Sequence, residues 1–184
     1  PYGIGTLGKG AYKFADWLKA SGGGIWQVLP AGPTGYGDSP YQSFSSFAGN
    51  PYFIDPDMLC GDGILPEKDL PRKRPEGKAI DYGALYASRR QMLQAAYEHS
   101  GKRLKSESDE FLASQPDIRD YALFMALKDK FGGRCWHDFP KCLVRREKSA
   151  REKYKKLLAE RTDYYVCEQY LFFSQWKSLR GYVN

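Results

Sequence analysis

The sequence predicts an α/β fold, present only in part: mostly helical, with one or few strands. Two observations predict it. Near the N-terminus an amphipathic helix runs through a glycine turn into a short apolar strand, and the rest of the chain carries a succession of helix-period apolar stripes. A helix, a glycine turn and a buried strand make an α/β unit. One strand followed by four or five helices is nevertheless a poor complete α/β domain, and reads as a piece of one carrying a helical insertion.

The elements follow in chain order. Residues 9–21 place Ala11, Phe14, Ala15 and Leu18 at i, i+3, i+4, i+7, the spacing of one helix face. Gly22, Gly23 and Gly24 end that helix. Residues 25–29, Ile-Trp-Gln-Val-Leu, then form a short buried strand stopped by Pro30. A loop over 31–51, dense in Gly, Pro, Ser and aromatics, comes next. Loops of that length are functional or disordered, and this one has too many aromatics for disorder. Residues 66–75 are a polar, proline-rich connector. Helices follow over 81–100 (Leu85, Met92, Leu93, Ala96), around Ile118, Tyr121, Ala122 and Met125, and over 164–179. The last is apolar on most sides, with Val166, Tyr170, Leu171, Phe172, Phe173 and Trp176, and should be buried. His99 falls near the end of the first of these helices, where it would help cap it.

Charge and composition exclude several functions. The net charge of +6 invites a nucleic-acid reading, but residues 145–161 alone supply +5, from eight basic against three acidic residues. Glu147 stands four before Arg151 and Glu152 four before Lys156, the spacing of ion pairs on a solvated helix. No zinc finger, RNP-type motif or aromatic-interleaved basic stripe accompanies them, so no nucleic-acid partner is expected. No apolar run approaches the roughly 18 residues of a membrane span, so no membrane partner is expected either. Four cysteines do not make a disulfide framework in a chain of 184 residues, and a reducing cytoplasm fits them best. The 14 tyrosines are the informative excess, each offering a flat apolar face with a polar tip that suits sugars as well as cores.

Most local motifs dissolve on inspection. Gly3-Ile4-Gly5-Thr6-Leu7-Gly8 has the dinucleotide spacing, but lacks the preceding strand and the acidic residue about 20 positions on. It reads as a glycine turn into the first helix. Thr34-Gly35-Tyr36-Gly37-Asp38 has neither the valine nor the flanking spans of a potassium filter. Cys135, His137, Cys142 and Cys167 match no zinc spacing, and no metal site is expected. No nucleophile elbow or catalytic triad is present. In the loop, Gly35 and Gly37 would permit positive φ, while Pro33, Pro40 and Pro51 would stiffen it.

The loop itself carries the signal. Trp26-Gln27-Val28-Leu29-Pro30, Gly32-Pro33-Thr34-Gly35-Tyr36-Gly37-Asp38-Ser39-Pro40-Tyr41-Gln42-Ser43-Phe44-Ser45 and Ala48-Gly49-Asn50-Pro51 closely resemble the amylomaltase family of the alpha-amylase clan. So do the opening Pro1-Tyr2-Gly3-Ile4-Gly5, the run Asp120–Leu127, and Phe172-Phe173-Ser174-Gln175-Trp176, in the same order along the chain.

The resemblance implies a fragment of a (β/α)8 barrel with large helical insertions, its site at the C-terminal ends of the strands. Residues 25–29 would be the second strand and the loop would leave its catalytic end. The chain would then divide into a barrel segment with the substrate loop (1–60), a helical insertion subdomain (61–163) and a helix returning to the barrel (164–184). The implied activity is a 4-alpha-glucanotransferase, a retaining transfer of α-1,4-glucan segments between maltodextrins, amylose and glucose acceptors, without a cofactor. The first strand would precede Pro1, the third would follow Asn184, and the catalytic carboxylates would lie on later strands, so no catalytic residue is expected in this chain. Substrate contacts are expected at Ser39 and Tyr41 beside the reacting glucose, with Asp38 shaping the loop, and at Tyr36 and Tyr86 on an outer rim. A non-catalytic glucan-binding module and a helical interaction module are the competing readings. The sequence does not fix the oligomeric state.

Overall fold

Three helices frame the molecule, and the last of them is its centre. The computed structural model describes residues 2–35, 37–72 and 79–184, so Tyr36 lies outside the described residues. Among the described residues the α-helices are α1 (Lys9–Ala20), α2 (Pro56–Gly61), α3 (Tyr82–Ser114), α4 (Asp117–Lys130), α5 (Lys141–Val144), α6 (Lys148–Leu157) and α7 (Ala159–Val183). One-turn 3-10 helices occupy Pro51–Phe53, Glu67–Asp69 and Trp136–Asp138. Among the described residues no helix is long and apolar enough to cross a membrane.

The predicted glycine turns are real. Helix α1 ends with Gly22 at φ +80°, its N–H bonded to the Lys19 carbonyl and that of Gly23 to the Leu18 carbonyl. This is the paired closure that a glycine after a helix makes possible. At the other end of α1, Gly8 presses on the N-cap of α2: a Cβ there would lie 2.1 Å from an oxygen of Asp55. Asp55 in turn accepts from Met58 N–H and from the Thr6 hydroxyl, with Pro56 as the first helical residue.

Residues 25–29 are not the predicted strand. They form neither helix nor strand, and among the described residues the only β-bridge joins Thr34 to Ser43. Ile25 is 86% exposed, Val28 50% and Leu29 62%, while Trp26 turns inward to pack its ring 4.8 Å from that of Phe14. An apolar run signals a wish for burial, but a strand also needs a neighbour to take its N–H and C=O groups. No described residue supplies one.

Helix α7 packs against α3 and α4 along its length and meets α1, α6 and the Pro51–Phe53 turn. Its buried residues include Tyr164, Val166, Leu171, Phe172 and Leu179, which face in several directions, as the apolar residues on most sides of this segment predict. Each such side chain removed from water contributes about 1.5–3 kcal/mol. The stripe on α4 buries Ile118, Tyr121 and Ala122 against this centre. Arg161 at the start of α7 donates to Asp129 of α4 at 2.6 Å and to Gln94 of α3 at 3.1 Å, tying the three helices together. A smaller cluster of Leu123, Leu127 and Phe139 is covered by Phe131, Leu143 and Tyr154.

Two local expectations are corrected. Helix α3 does not stop near Ser100 but continues to Ser114, so His99 is an exposed mid-helix residue and caps nothing. Ser100-Gly101 reads as a stop in isolation. Leu104, Ser108 and Leu112 bury the continuation, and tertiary packing overrides the local signal. On α6 the pairs Glu147–Arg151 and Glu152–Lys156 do not form. Glu147 is the N-cap residue, Arg151 reaches across to Asp120 of α4 at 3.2 Å, and Glu152 pairs with Lys155.

Candidate functional site

The loop between residues 31 and 51 is built by its own serines. The bridge at Thr34 and Ser43 folds it back on itself, with Gly35 N–H donating to the Gln42 carbonyl at 3.1 Å. Gly35 serves close approach: a Cβ there would lie 3.3 Å from the Gln42 carbonyl oxygen, and it is Gly37 that takes positive φ, +87°. Ser39 Oγ accepts from Tyr41 N–H, Ser43 Oγ from Ser45 N–H, and Ser45 Oγ from the N–H groups of Phe47 and Ala48. Short hydroxyl side chains satisfying nearby main chain are what lets a loop of this length hold one shape. Its outer arm rests on α4, where Phe44 lies 6.4 Å from the Phe124 ring and the Lys128 ammonium stands 4.9 Å over Phe44. Its two stems meet where Asn50 N–H donates to the Ala31 carbonyl at 2.8 Å.

A cleft of about 640 Å³ opens beside this loop, walled by Trp26, Thr34, Asp38, Tyr52, Tyr82 and Trp176 among others. Two polar atoms of its lining residues, Thr34 Oγ1 and Asp38 Oδ1, are buried without a hydrogen-bond partner among the described residues. Asp38 also holds φ +57°, a left-handed conformation uncommon outside glycine. Buried oxygens are normally satisfied, so the wall carries two polar groups, covered by neighbouring atoms, that lack a donor among the described residues. Tyr52 lies between two acids. Burial first, then the negative charges of Glu168 and Asp38, push its hydroxyl up to about 12, so it remains a protonated donor.

The predicted site residues do not all converge. Asp38 lines the cleft. Ser39 is half-buried within the turn, and Tyr41 stands 73% exposed on the loop. Tyr86 is separate, packed on α3 with its ring 5.0 Å from Tyr52 and 6.0 Å from Tyr82, both of which do line the cleft. Tyr36 lies outside the described residues. Thr34, Tyr52 and Tyr82 were missed by sequence reasoning. Each stands within or beside a motif already singled out, but nothing in a tyrosine's neighbours along the chain tells which face it will present.

Against known families, the glycoside hydrolase 77 family, described as 4-alpha-glucanotransferase, matches residues 1–184, the whole chain. The chain belongs to this 4-alpha-glucanotransferase family. It is 43% identical to the 4-alpha-glucanotransferase of Clostridium butyricum over 186 residues, covering all of this chain and 38% of that protein. With the Thermus thermophilus 4-alpha-glucanotransferase the identity is 45%, over 98% of this chain and 37% of the relative. Among solved structures, the amylomaltase from Streptococcus agalactiae in complex with acarbose superposes with a TM-score of 0.92 at 37% identity, over all of this chain and 38% of that one. The chain thus spans a little over a third of the length of the relatives it matches.

Proposed function

We propose that this chain is the substrate-loop portion of a 4-alpha-glucanotransferase that moves α-1,4-glucan segments between maltodextrins, amylose and glucose acceptors with retention of configuration. The observation that carries the reading is the family match over the whole chain, together with a cleft walled by Trp26, Tyr52, Tyr82 and Trp176 beside the loop. Flat aromatic faces with polar tips suit a sugar ring, and no cofactor is called for. Tyr41 stacks on the glucose at the cleavage point, Ser39 hydrogen-bonds beside it, and Asp38 holds the loop in shape. Tyr36 and Tyr86 hold long glucans farther out.

On the same reading residues 25–29, unpaired in this chain, become the second strand of a (β/α)8 barrel once neighbouring strands of the whole protein take their N–H and C=O groups. The exposure of Ile25, Val28 and Leu29 supports it, because such a run is completed by neighbouring strands. Residues 1–60 are then the barrel segment, 61–163 the helical insertion, and 164–184 the helix that returns to the barrel. The nucleophile and acid of a retaining pair, roughly 5–5.5 Å apart, belong to the remainder of the protein, so these 184 residues alone are inactive. Four free thiols fit a reducing compartment such as the cytoplasm.

The test is kinetic, in the whole protein with maltotriose as substrate. Stacking matters most where the ring flattens toward the transition state, so Tyr41→Ala lowers kcat more than it raises KM. A variant with the parent's kcat/KM removes Tyr41 from the site. Glucose release by the 184-residue polypeptide alone overturns the assignment of the carboxylates to the remainder.

A further inference from the structure

Helix α7 carries two glutamines that grip the main chain at the end of the loop and just beyond it. Gln169 is fully buried; its Oε1 accepts from Gly49 N–H at 2.7 Å and its Nε2 donates to the Gly49 carbonyl at 3.0 Å. Gln175 does the same to Asp55, accepting at 2.7 Å and donating at 3.2 Å. Each carboxamide offers one acceptor and one donor to a single residue, as an opposed residue does in an antiparallel ladder. Both pairs are 120 residues apart, so helix and chain advance in step between them. Six helical residues rise about 9 Å, and the capped 3-10 turn Pro51–Phe53 fills that interval on the other side.

The two grips differ in what they hold. Gln169 holds Gly49, which adjoins Asn50, the residue whose N–H closes the stems of the loop onto Ala31. There the approach is so close that a Cβ on Gly49 would lie 1.9 Å from the Phe172 ring. Gln175 holds Asp55, the N-cap of α2, beyond the 3-10 turn and away from the loop. Gln169 therefore fixes where the loop leaves the helix, whereas Gln175 fixes the start of a helix.

We propose that Gln169 is a positioning residue for glucan transfer: without touching sugar, it sets the register of the loop that presents Asp38 and Tyr41. This rests on the reading of that loop as substrate-facing. A displacement of about 1 Å at a reacting group can lower a rate by about a hundredfold. Gln175 supplies the control, a second buried two-bond grip whose loss disturbs the fold and leaves the loop's exit in place.

The experiment uses the whole protein with Gln169→Met and Gln175→Met, measuring kcat and KM for maltotriose disproportionation alongside thermal melts. For Gln169→Met kcat/KM falls about 10- to 100-fold, mostly in kcat. Gln175→Met stays within about threefold at a comparable loss of melting temperature, a split that a purely structural role does not produce. Should Gln169→Met not fold, Gln169→Asn is read in its place, since it keeps an amide one methylene short of Gly49. An active parent whose Gln169 variants keep its kcat and KM overturns the proposal alone, as do two variants that lose activity in proportion to their stability. A parent that neither binds nor transfers glucan overturns the functional reading and this proposal with it.

Discussion

Glu168 is 7% exposed on α7, with the Tyr164 hydroxyl 3.5 Å away as its donor. Burial raises its carboxyl from 4.5 to about 8, against the opposing pull of Arg161. The other groups that face it are Tyr164 and Tyr165 on the same helix, Asp129 and Tyr121 on α4, and Tyr52 after the loop. An acid raised in the folded state keeps its proton while the unfolded chain gives it up. Its stabilising effect is therefore whole below 4.5 and is lost as pH rises through about 8. At about 1.4 kcal/mol per pH unit, the full span is worth at most about 5 kcal/mol, of which about 3 kcal/mol falls between pH 5 and 8. Glu168→Gln keeps the shape and removes the titration. Urea unfolding of parent and variant at pH 5, 6.5 and 8 should show the variant gaining about 3 kcal/mol relative to the parent across that range. A stability difference that does not change with pH would show that the carboxyl ionises in the fold as it does in water, and the reasoning would fail.

Two further outcomes follow from the same contacts. Gly49→Ala sets a methyl group against the buried Phe172 ring, where a Cβ would stand 1.9 Å away, and overpacking of this kind destabilises by about 1–3 kcal/mol; a melting temperature equal to the parent's would mean the loop stem can slide. If Tyr36 and Tyr86 form the proposed rim, replacing both with Ala leaves maltotriose turnover nearly unchanged and weakens binding of long amylose or large cyclic glucans. Equal losses on short and long substrates would place them in the main groove or in the core.

What the sequence made legible was whatever depends on near neighbours. Ala11, Phe14, Ala15 and Leu18 mark α1, and the glycine after it adopts the left-handed turn that only glycine takes cheaply. Apolar residues on most sides of 164–179 announce the central place of α7. What escaped depends on distant partners. Nothing beside Gln169 or Gln175 shows that an amide inside an apolar helix will meet Gly49 or Asp55 across 120 residues. Arg89 is as opaque: it reads as a surface residue of α3, yet it is fully buried, 5.6 Å from the Tyr2 ring, with Nε and Nη2 unpartnered among the described residues. Burial lowers its pKa to about 10. Within the loop, Asp38 was legible as the one acid in an unusual segment, but its positive φ and bare oxygen were not.

Two kinds of unmet demand meet on the wall of the cleft. Val28 and Leu29 are apolar, half or more exposed, and on the wall of the same cleft as Thr34 and Asp38, each of which has an oxygen without a partner among the described residues. One ligand cannot answer both. Apolar area of this sort is completed by protein, at about 25 cal/mol for each Å² removed from water. A carboxylate oxygen is completed by a donor, since leaving it buried and bare costs about 1–3 kcal/mol. On the proposed reading the first demand is met by neighbouring barrel strands and the second by glucan. The two also separate in experiment: polar variants of Val28 or Leu29 act on the stability of the whole protein, whereas Asp38→Asn keeps the fold and acts on glucan binding. The reverse pattern, with Asp38→Asn unfolding the protein and Val28→Ser affecting only binding, would mean that the cleft wall has been assigned the wrong way round.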